Sequence, residues 1–500
     1  MPNIQTTLLV SICTVLLVAC GGDSSSGGAA EVAEDSSTSS DTNTSEGEGE
    51  EENGTSTDTS NGEGDGADEN NIPADTISNS GDSEGAVDEN IVVIDPNRTQ
   101  RLTFNDNQQE LNADVSTSSV FAITNDSRYL LFSTAATNVL ETGDSEDTVI
   151  DVYLRDTLAG SITKVSKAID GRSNDNRSLG QDISDDGRYS VFTSGSTALN
   201  LDANGSTQIY LYDALSQSNT IISRTPSGDV GTGNSTNPLI TANGDTVIFN
   251  SRAQNLRNEF SSRATSTFIY DVGIGTITEL LPESQVTNIA NNMATYPFVT
   301  TIDISADGRF VLFETRSNND TVYFVVDRTS GDLTKLPEGI TSSATFGMKI
   351  SDTGRYVVGR NGDSTERPIV WIDLQQNIKI EFGLDTLVPN WAGPDFSQIA
   401  SPEEISADGQ TILYYGVLHD GPLPATSDNS YWNVYALDIS ELEAVLVSRG
   451  IDQSSGNRPS NFPRFANNKQ SIVYHSDASN LVEDDTNFRG DIFSTPLQSE

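Results

Sequence analysis

The chain has 500 residues and carries 73 Asp and Glu against 27 Lys and Arg, a formal net charge of −46. Charge of that sign repels phosphate backbones and anionic headgroups, which excludes nucleic-acid binding and membrane attachment through a basic patch. With two cysteines, Cys13 and Cys20, and two histidines, His419 and His475, there is little material for thiolate metal sites or imidazole catalysis.

In chain order, the first feature is an apolar run from Leu8 to Ala19, too short to span a bilayer and of the length of a signal-peptide core. It ends in Leu17-Val18-Ala19-Cys20 followed by Gly21-Gly22, which resembles the bacterial lipobox. The resemblance implies removal of residues 1–19 as a lipoprotein signal peptide and lipidation of Cys20 by diacylglycerol and palmitate. With Gly21 after the cysteine, it also implies an outer-membrane lipoprotein facing the periplasm or the cell surface. Each buried CH₂ contributes about 0.8 kcal/mol, so a two- or three-chain anchor is durable. A plain secretory signal with a chance cysteine is the alternative, and the segment before Leu8 lacks the usual Lys or Arg. In the lipoprotein reading Cys13 leaves with the signal and Cys20 is acylated, so the mature chain forms no disulfide.

Residues 20–90 are Gly, Ser, Thr, Asn, Asp and Glu with almost no apolar content, a composition that cannot bury a core and reads as a disordered acidic linker. Between Asp23 and Glu89 lie 20 of the 73 acidic residues and no basic one, so −26 of the −46 resides on the remainder. A chain of this kind reaches about 45 Å. Gly81-Asp82-Ser83-Glu84-Gly85 matches the nucleophile-elbow pattern, but no strand-turn-helix surrounds it to strain the serine.

From residue 91 to the end the sequence repeats. The units read ITNDSRYLLFST from Ile123, ISDDGRYSVFTS from Ile183, ITANGDTVIFNS from Ile240, ISADGRFVLFET from Ile304, ISDTGRYVVGR from Ile350, ISADGQTILYYG from Ile405 and FANNKQSIVYHS from Phe465. Each places Asp-Gly or a near equivalent between apolar segments, the form of a tight hairpin, and a third strand such as DVYLRD or QIYLYD follows. Fourth strands follow several of these. Seven units of four antiparallel strands without an amphipathic helix predict an all-β fold, a seven-bladed β-propeller over 91–500. The last unit lacks a fourth strand; Gln100–Phe104 (QRLTF) is expected to supply it and close the ring, while Ile91–Asp95 (IVVID) reads as a further strand with no assigned partner.

The repeated Ile-Ser-x-Asp-Gly-Arg-Tyr-x-x-Phe with a downstream Ile/Val-Tyr-x-x-Asp resembles the PD40, WD40-like repeats of TolB-like propellers. The resemblance implies fold; such propellers serve as binding scaffolds and as enzymes. The α/β domain that precedes the TolB propeller has no counterpart here, nor does the hydrolase domain of the prolyl-oligopeptidase relatives. The arginines Arg128, Arg188, Arg309 and Arg355 recur at one repeat position, which implies a structural role.

Loops joining strands two to three and four to one are expected to form the ligand face. Trp391 and Phe396 are candidates for stacking on a sugar or peptide there, with loop packing as the alternative. Asp144, Asp147, Asp202, Asn204, Asp485 and Asn487 sit in Asp/Asn-rich loops whose hard oxygen ligands suit Ca²⁺, with turn and capping roles as the alternative. No catalytic residue and no other cofactor emerges. The sequence therefore points to a membrane-anchored envelope module that binds a protein or polysaccharide. The alternatives are a propeller lyase or glycosidase acting on glycans, or a Tol-Pal-like accessory.

Overall fold

The apolar segments on either side of each Asp-Gly turn pair as expected, and every repeated unit forms one antiparallel sheet. The computed structural model describes residues 98–116, 121–141, 148–171, 173–257, 265–281, 285, 298–317, 320–341, 347–362, 368–383, 400–417 and 431–497. Blades 1 to 6 span 122–164, 178–221, 235–279, 298–335, 340–382 and 401–446. Blade 7 takes three strands from 460–496 and its outer strand from Gln100–Arg101.

That N-terminal strand pairs antiparallel with Asp491–Pro496, Gln100 opposite Ser494 and Arg101 opposite Phe493, so the ring closes as the sequence predicts. The predicted strand from Gln100 to Phe104 is shortened to two residues, extended by a bond from the Leu102 N–H to the Ile492 carbonyl (2.7 Å). The Ile91–Asp95 segment lies outside the described residues. In blade 5 the inner strand comes in two pieces, Ile340–Thr341 and Lys349–Ile350, both on Tyr356–Asn361.

Each blade packs on both faces, so its second and third strands are almost continuously buried and read as apolar runs rather than alternating ones. The described core divides into seven clusters, one at each joint between neighbouring blades. Within six blades an aromatic of the second strand stacks on one of the third, as Phe192 on Tyr210 (centroids 5.1 Å apart) and Tyr414 on Tyr435 (5.2 Å). Such pairs contribute about 0.5–1.5 kcal/mol beyond the area they bury. In blade 5 Gly359 and Val370 occupy these positions, Ile340 and Met348 fill the space, and Tyr356 stacks on Trp371 instead.

The repeat motif explains itself at the hairpin. Ser184 Oγ donates to Asp186 Oδ1 and accepts the Tyr189 N–H, Asp186 Oδ1 accepts the Arg188 N–H, and Gly187 turns the chain at φ +70. Arg188 lies over the Tyr189 ring and reaches Asp213 at the end of the third strand (3.2 Å). Arg128, Arg309 and Arg355 repeat this pairing with Asp156, Asp327 and Asp373. The turn glycine also abuts the preceding blade: a Cβ on Gly187 would run into the Tyr129 ring, and one on Gly354 into Phe310. The periodic arginines are structural.

Candidate functional site

The first strands of adjacent blades neighbour one another around the whole ring, so these strands line the axial channel. Near its hairpin end, the residue just before the motif isoleucine faces that channel. In blades 2, 4 and 6 it is Asp182, Asp303 or Glu404; in blades 3, 5 and 7 it is Leu239, Lys349 or Arg464.

Each of the three carboxylates reaches across a joint. Asp182 Oδ2 accepts the Ile240 N–H (2.9 Å), Asp303 Oδ2 accepts the Ile350 N–H (3.0 Å) and Glu404 Oε2 accepts the Phe465 N–H (2.7 Å). Lys349 Nζ stands 3.6 Å from Asp303 Oδ1, and Arg464 Nη1 stands 3.7 Å from Oε2 of the neighbouring Glu403. Burial pushes the carboxyl of Asp182 up to about 6 and that of Glu404 up to about 7, partly offset by their backbone donors and by the cations. Glu403 is also raised by burial, against Arg464 and Lys349.

One residue-layer further out, the seven blades are linked into a ring. The N–H of Asp185 donates to the Ala242 carbonyl (2.8 Å), that of Ala242 to Ala306 (2.9 Å), that of Ala306 to Asp352 (3.1 Å) and that of Asn468 to Asn125 (2.9 Å). Thr353 Oγ1 to the Ala407 carbonyl, Asn125 Nδ2 to Asp185 Oδ2, and the Lys469–Asp408 pair complete the remaining joints. Asp352 is raised by burial and by the charges of Asp303 and Asp185. The mouth therefore presents two carboxylates, Asp185 and Asp352, above an acid-rich layer that Lys349, Arg464 and Lys469 only partly compensate. A group entering here meets hydrogen-bond acceptors and undercompensated negative charge.

This constellation was not singled out from sequence, and it lies at the turns joining first to second strands, the end of the ring opposite the second-to-third and fourth-to-first loops expected to form the ligand face. The available signal was the alternation of acid with non-acid immediately before the motif isoleucine.

Of the sequence candidates, Cys20, Asp144, Asp147, Trp391 and Phe396 lie outside the described residues. Asp202 and Asn204 stay together in the second-to-third loop of blade 2. Asp202 pairs with Arg224 (2.9 Å), while Asn204 accepts the Ser206 N–H and donates to the Gly231 carbonyl. Asn487 accepts the Arg489 N–H within its own turn and donates to the Leu111 carbonyl of the N-terminal segment. Asp485 is buried in blade 7, 3.7 Å from Arg101 Nη1, and burial raises its carboxyl. Among the described residues no group of three or more His, Cys, Asp or Glu is placed to hold a metal ion.

No protein-family model matches the chain, and no curated protein matches it. Solved structures do. Oligogalacturonate lyase from Vibrio parahaemolyticus is 13% identical over 80% of this chain and 98% of its own, with a TM-score of 0.46. TolB from Acinetobacter baumannii is 13% identical over 70% and 76%, with a TM-score of 0.35. The propeller domain of the Trilobed protease from Pyrococcus furiosus is 11% identical over 78% and 97%, with a TM-score of 0.45. At this distance no activity, substrate or partner passes from them to this chain.

Proposed function

We propose that this chain is an outer-membrane lipoprotein, held by acyl chains on Cys20, whose propeller is a non-catalytic binding module. Its ligand is an envelope protein or polysaccharide that brings a cationic group to the axial mouth. The observation that carries the reading is the layer of Asp182, Asp303 and Glu404 beneath Asp185 and Asp352. Burial opposes ionisation there, and an incoming ammonium or guanidinium relieves that opposition, so binding tightens as pH rises through about 6 to 7. The −26 carried outside the tether steers a basic partner toward the domain. The three carboxylates are already committed to backbone donors across the joints, which supports binding over proton transfer.

The glycan lyase or glycosidase reading keeps one favourable observation: two carboxyls poised to titrate near neutrality, as acid catalysis of glycoside cleavage uses. One experiment addresses both. The detergent-solubilised full-length chain is immobilised and exposed to envelope extract and a glycan panel at pH 5.5 and 7.5, beside an Asp182→Asn/Glu404→Gln variant. A saturable partner held better at pH 7.5 and released by the variant is the expected result. Equal retention by the variant overturns the axial reading, and glycans shortened without retention favour the enzyme. Loss of palmitate label in Cys20→Ser tests the anchor.

A further inference from the structure

In the joint between blades 6 and 7, Tyr415 lies edge-on to Trp432 (centroids 5.2 Å apart) and to Phe462 (6.0 Å), so three aromatics pack together there. The joint between blades 2 and 3 repeats these positions with other side chains. The stacked pairs Tyr414–Tyr435 and Phe192–Tyr210 set the correspondence. Thr193 follows Phe192 as Tyr415 follows Tyr414, and Thr207 stands three residues before Tyr210 as Trp432 stands three before Tyr435. Across the joint, Asn237 at φ +52 precedes Pro238 as Phe462 at φ +53 precedes Pro463. Thr193, Thr207 and Asn237 therefore replace the aromatic trio, and all three line a recess of about 230 Å³. The strands repeat while the side chains shrink, and a packed scaffold closes only partly over volume removed in this way.

We propose that this recess binds one uncharged sugar ring of a glycan. Asn176, Arg177 and Gln181 line it with the three residues above, so its walls are amides, hydroxyls and one guanidinium. Amides and hydroxyls donate and accept, which is what adjacent sugar hydroxyls demand of a site. None of the described residues lining it is acidic, in a chain with 73 Asp and Glu, so the recess does not extend the axial acid layer and does not select a cation. Its volume is below the roughly 300 Å³ at which sites for drug-sized ligands begin, which suits a single ring. The walls are held by the sheets: Thr193 is 8% exposed at the end of its strand, Gln181 Nε2 donates to the Gly180 carbonyl (3.1 Å), and Asn176 Oδ1 accepts the Arg177 N–H (2.9 Å). Gly195 admits the Asn176 amide, since a Cβ there would come within 2.8 Å of Nδ2. The recess lies at the end of the ring where the second-to-third and fourth-to-first loops gather, opposite the acidic mouth. It is a second site, and it does not rest on the axial reading.

The test is saturation-transfer NMR on the full-length chain in a sugar-free detergent, with glucose, galactose, mannose, N-acetylglucosamine and glucuronate as probes. At least one neutral sugar receives saturation, equally at pH 5.5 and 7.5 because no carboxyl lines the recess. Thr193→Tyr/Asn237→Phe, which restores the aromatics of the other joint, abolishes the signal. Glu404→Gln, which the axial reading expects to weaken capture at the mouth, leaves it unchanged. Should the filled variant fail to fold, Gln181→Ala/Asn237→Ala removes two amides without adding bulk and weakens binding about tenfold in a titration of the same sugar. Saturation of none of the neutral sugars overturns the assignment, and so does a signal that survives both double variants. A signal lost in Glu404→Gln places the sugar at the mouth instead, and glucuronate held more tightly than every neutral sugar overturns the choice of an uncharged ring.

Discussion

Thr103 Oγ1 donates a 2.6 Å hydrogen bond to Asp491 Oδ1, and this bond is the blade 7 counterpart of the one from Ser166 Oγ to Asp151 Oδ1 in blade 1 (2.7 Å). In both blades the following N–H, of Ile492 or Val152, donates back to the hydroxyl. Ser223 with Gln208 and Ser448 with Asn433 repeat the arrangement. A basic residue two positions earlier accompanies the acid in each case, Lys164 beside Asp151 and Arg101 beside Asp491. The N-terminal segment thus completes the last blade with the same staple the other blades form internally, which fixes the register of closure.

Thr103→Val removes that staple while keeping the side-chain volume. Asp491 and the Ile492 N–H lose a buried partner, so stability falls by about 1–3 kcal/mol. Urea unfolding checks it: the midpoint drops with an unchanged slope, and Ser166→Ala gives a comparable drop. A wild-type midpoint for Thr103→Val would remove the staple from the account of closure.

The turn glycines separate two costs. Gly331 and Gly354 both adopt positive φ, +78 and +71, but a Cβ on Gly331 meets nothing while one on Gly354 strikes the Phe310 ring of the preceding blade. Gly331→Ala bears backbone strain alone, about 1 kcal/mol. Gly354→Ala adds overpacking, a further 1–3 kcal/mol or so. Thermal unfolding of the two variants measures the difference directly, and equal losses would mean that the joint between blades 4 and 5 yields without cost.

The fold was legible because its determinants are local. Asp186-Gly187, Asp307-Gly308 and Asp408-Gly409 announce hairpins within a few residues, and seven such units with a missing last strand imply closure by Gln100 and Arg101. The axial layer was less legible because each acid acts on the next repeat: Asp182 is recognised only once the Ile240 N–H is known to sit across the joint. The loop candidates show the converse. Asp202 and Asn204 have the spacing of oxygen ligands, yet their hydrogen bonds serve their own turn and the neighbouring Gly231 and Arg224. Short polar side chains satisfy backbone groups in turns and ligate cations with the same atoms, so spacing alone does not separate the two uses.

The pair Arg309–Asp327 tests which partner of the repeated ion pair matters. Arg309 is about half exposed and its bonds to Asp327 are open to solvent, which screens them, so Arg309→Ala costs little. Asp327 Oδ1 also accepts the Thr329 and Ser330 N–H groups and holds the turn to the outer strand. Asp327→Ala is therefore the more destabilising of the two in urea unfolding. The reverse order would assign the repeat position to charge pairing rather than to the turn.

Stability should be greatest in mildly acidic solution. Asp182, Glu404 and Asp491 have folded-state pKa values raised by burial to about 6, about 7 and about 7, against roughly 4 in the unfolded chain. A carboxyl that holds its proton more tightly when folded stabilises the fold fully below about pH 4, and that contribution is lost as pH rises through about 6 to 7. The arginine-paired acids act oppositely: Asp327, lowered to about 2 chiefly by its hydrogen bond from Arg309, and the lowered Asp156, Asp213 and Asp373 lose their contribution as pH falls below about 4. The two slopes place the maximum near pH 4 to 5. In Asp182→Asn/Glu404→Gln the amide oxygens still accept the Ile240 and Phe465 N–H groups but no longer titrate, so the fall between pH 5 and 7.5 becomes shallower. Urea midpoints of both proteins across pH 3 to 8 measure this. A wild-type midpoint that climbs steadily to pH 7.5 would mean that the axial carboxylates are ionised without penalty, and with that the electrostatic case for a cationic ligand at the mouth would fall.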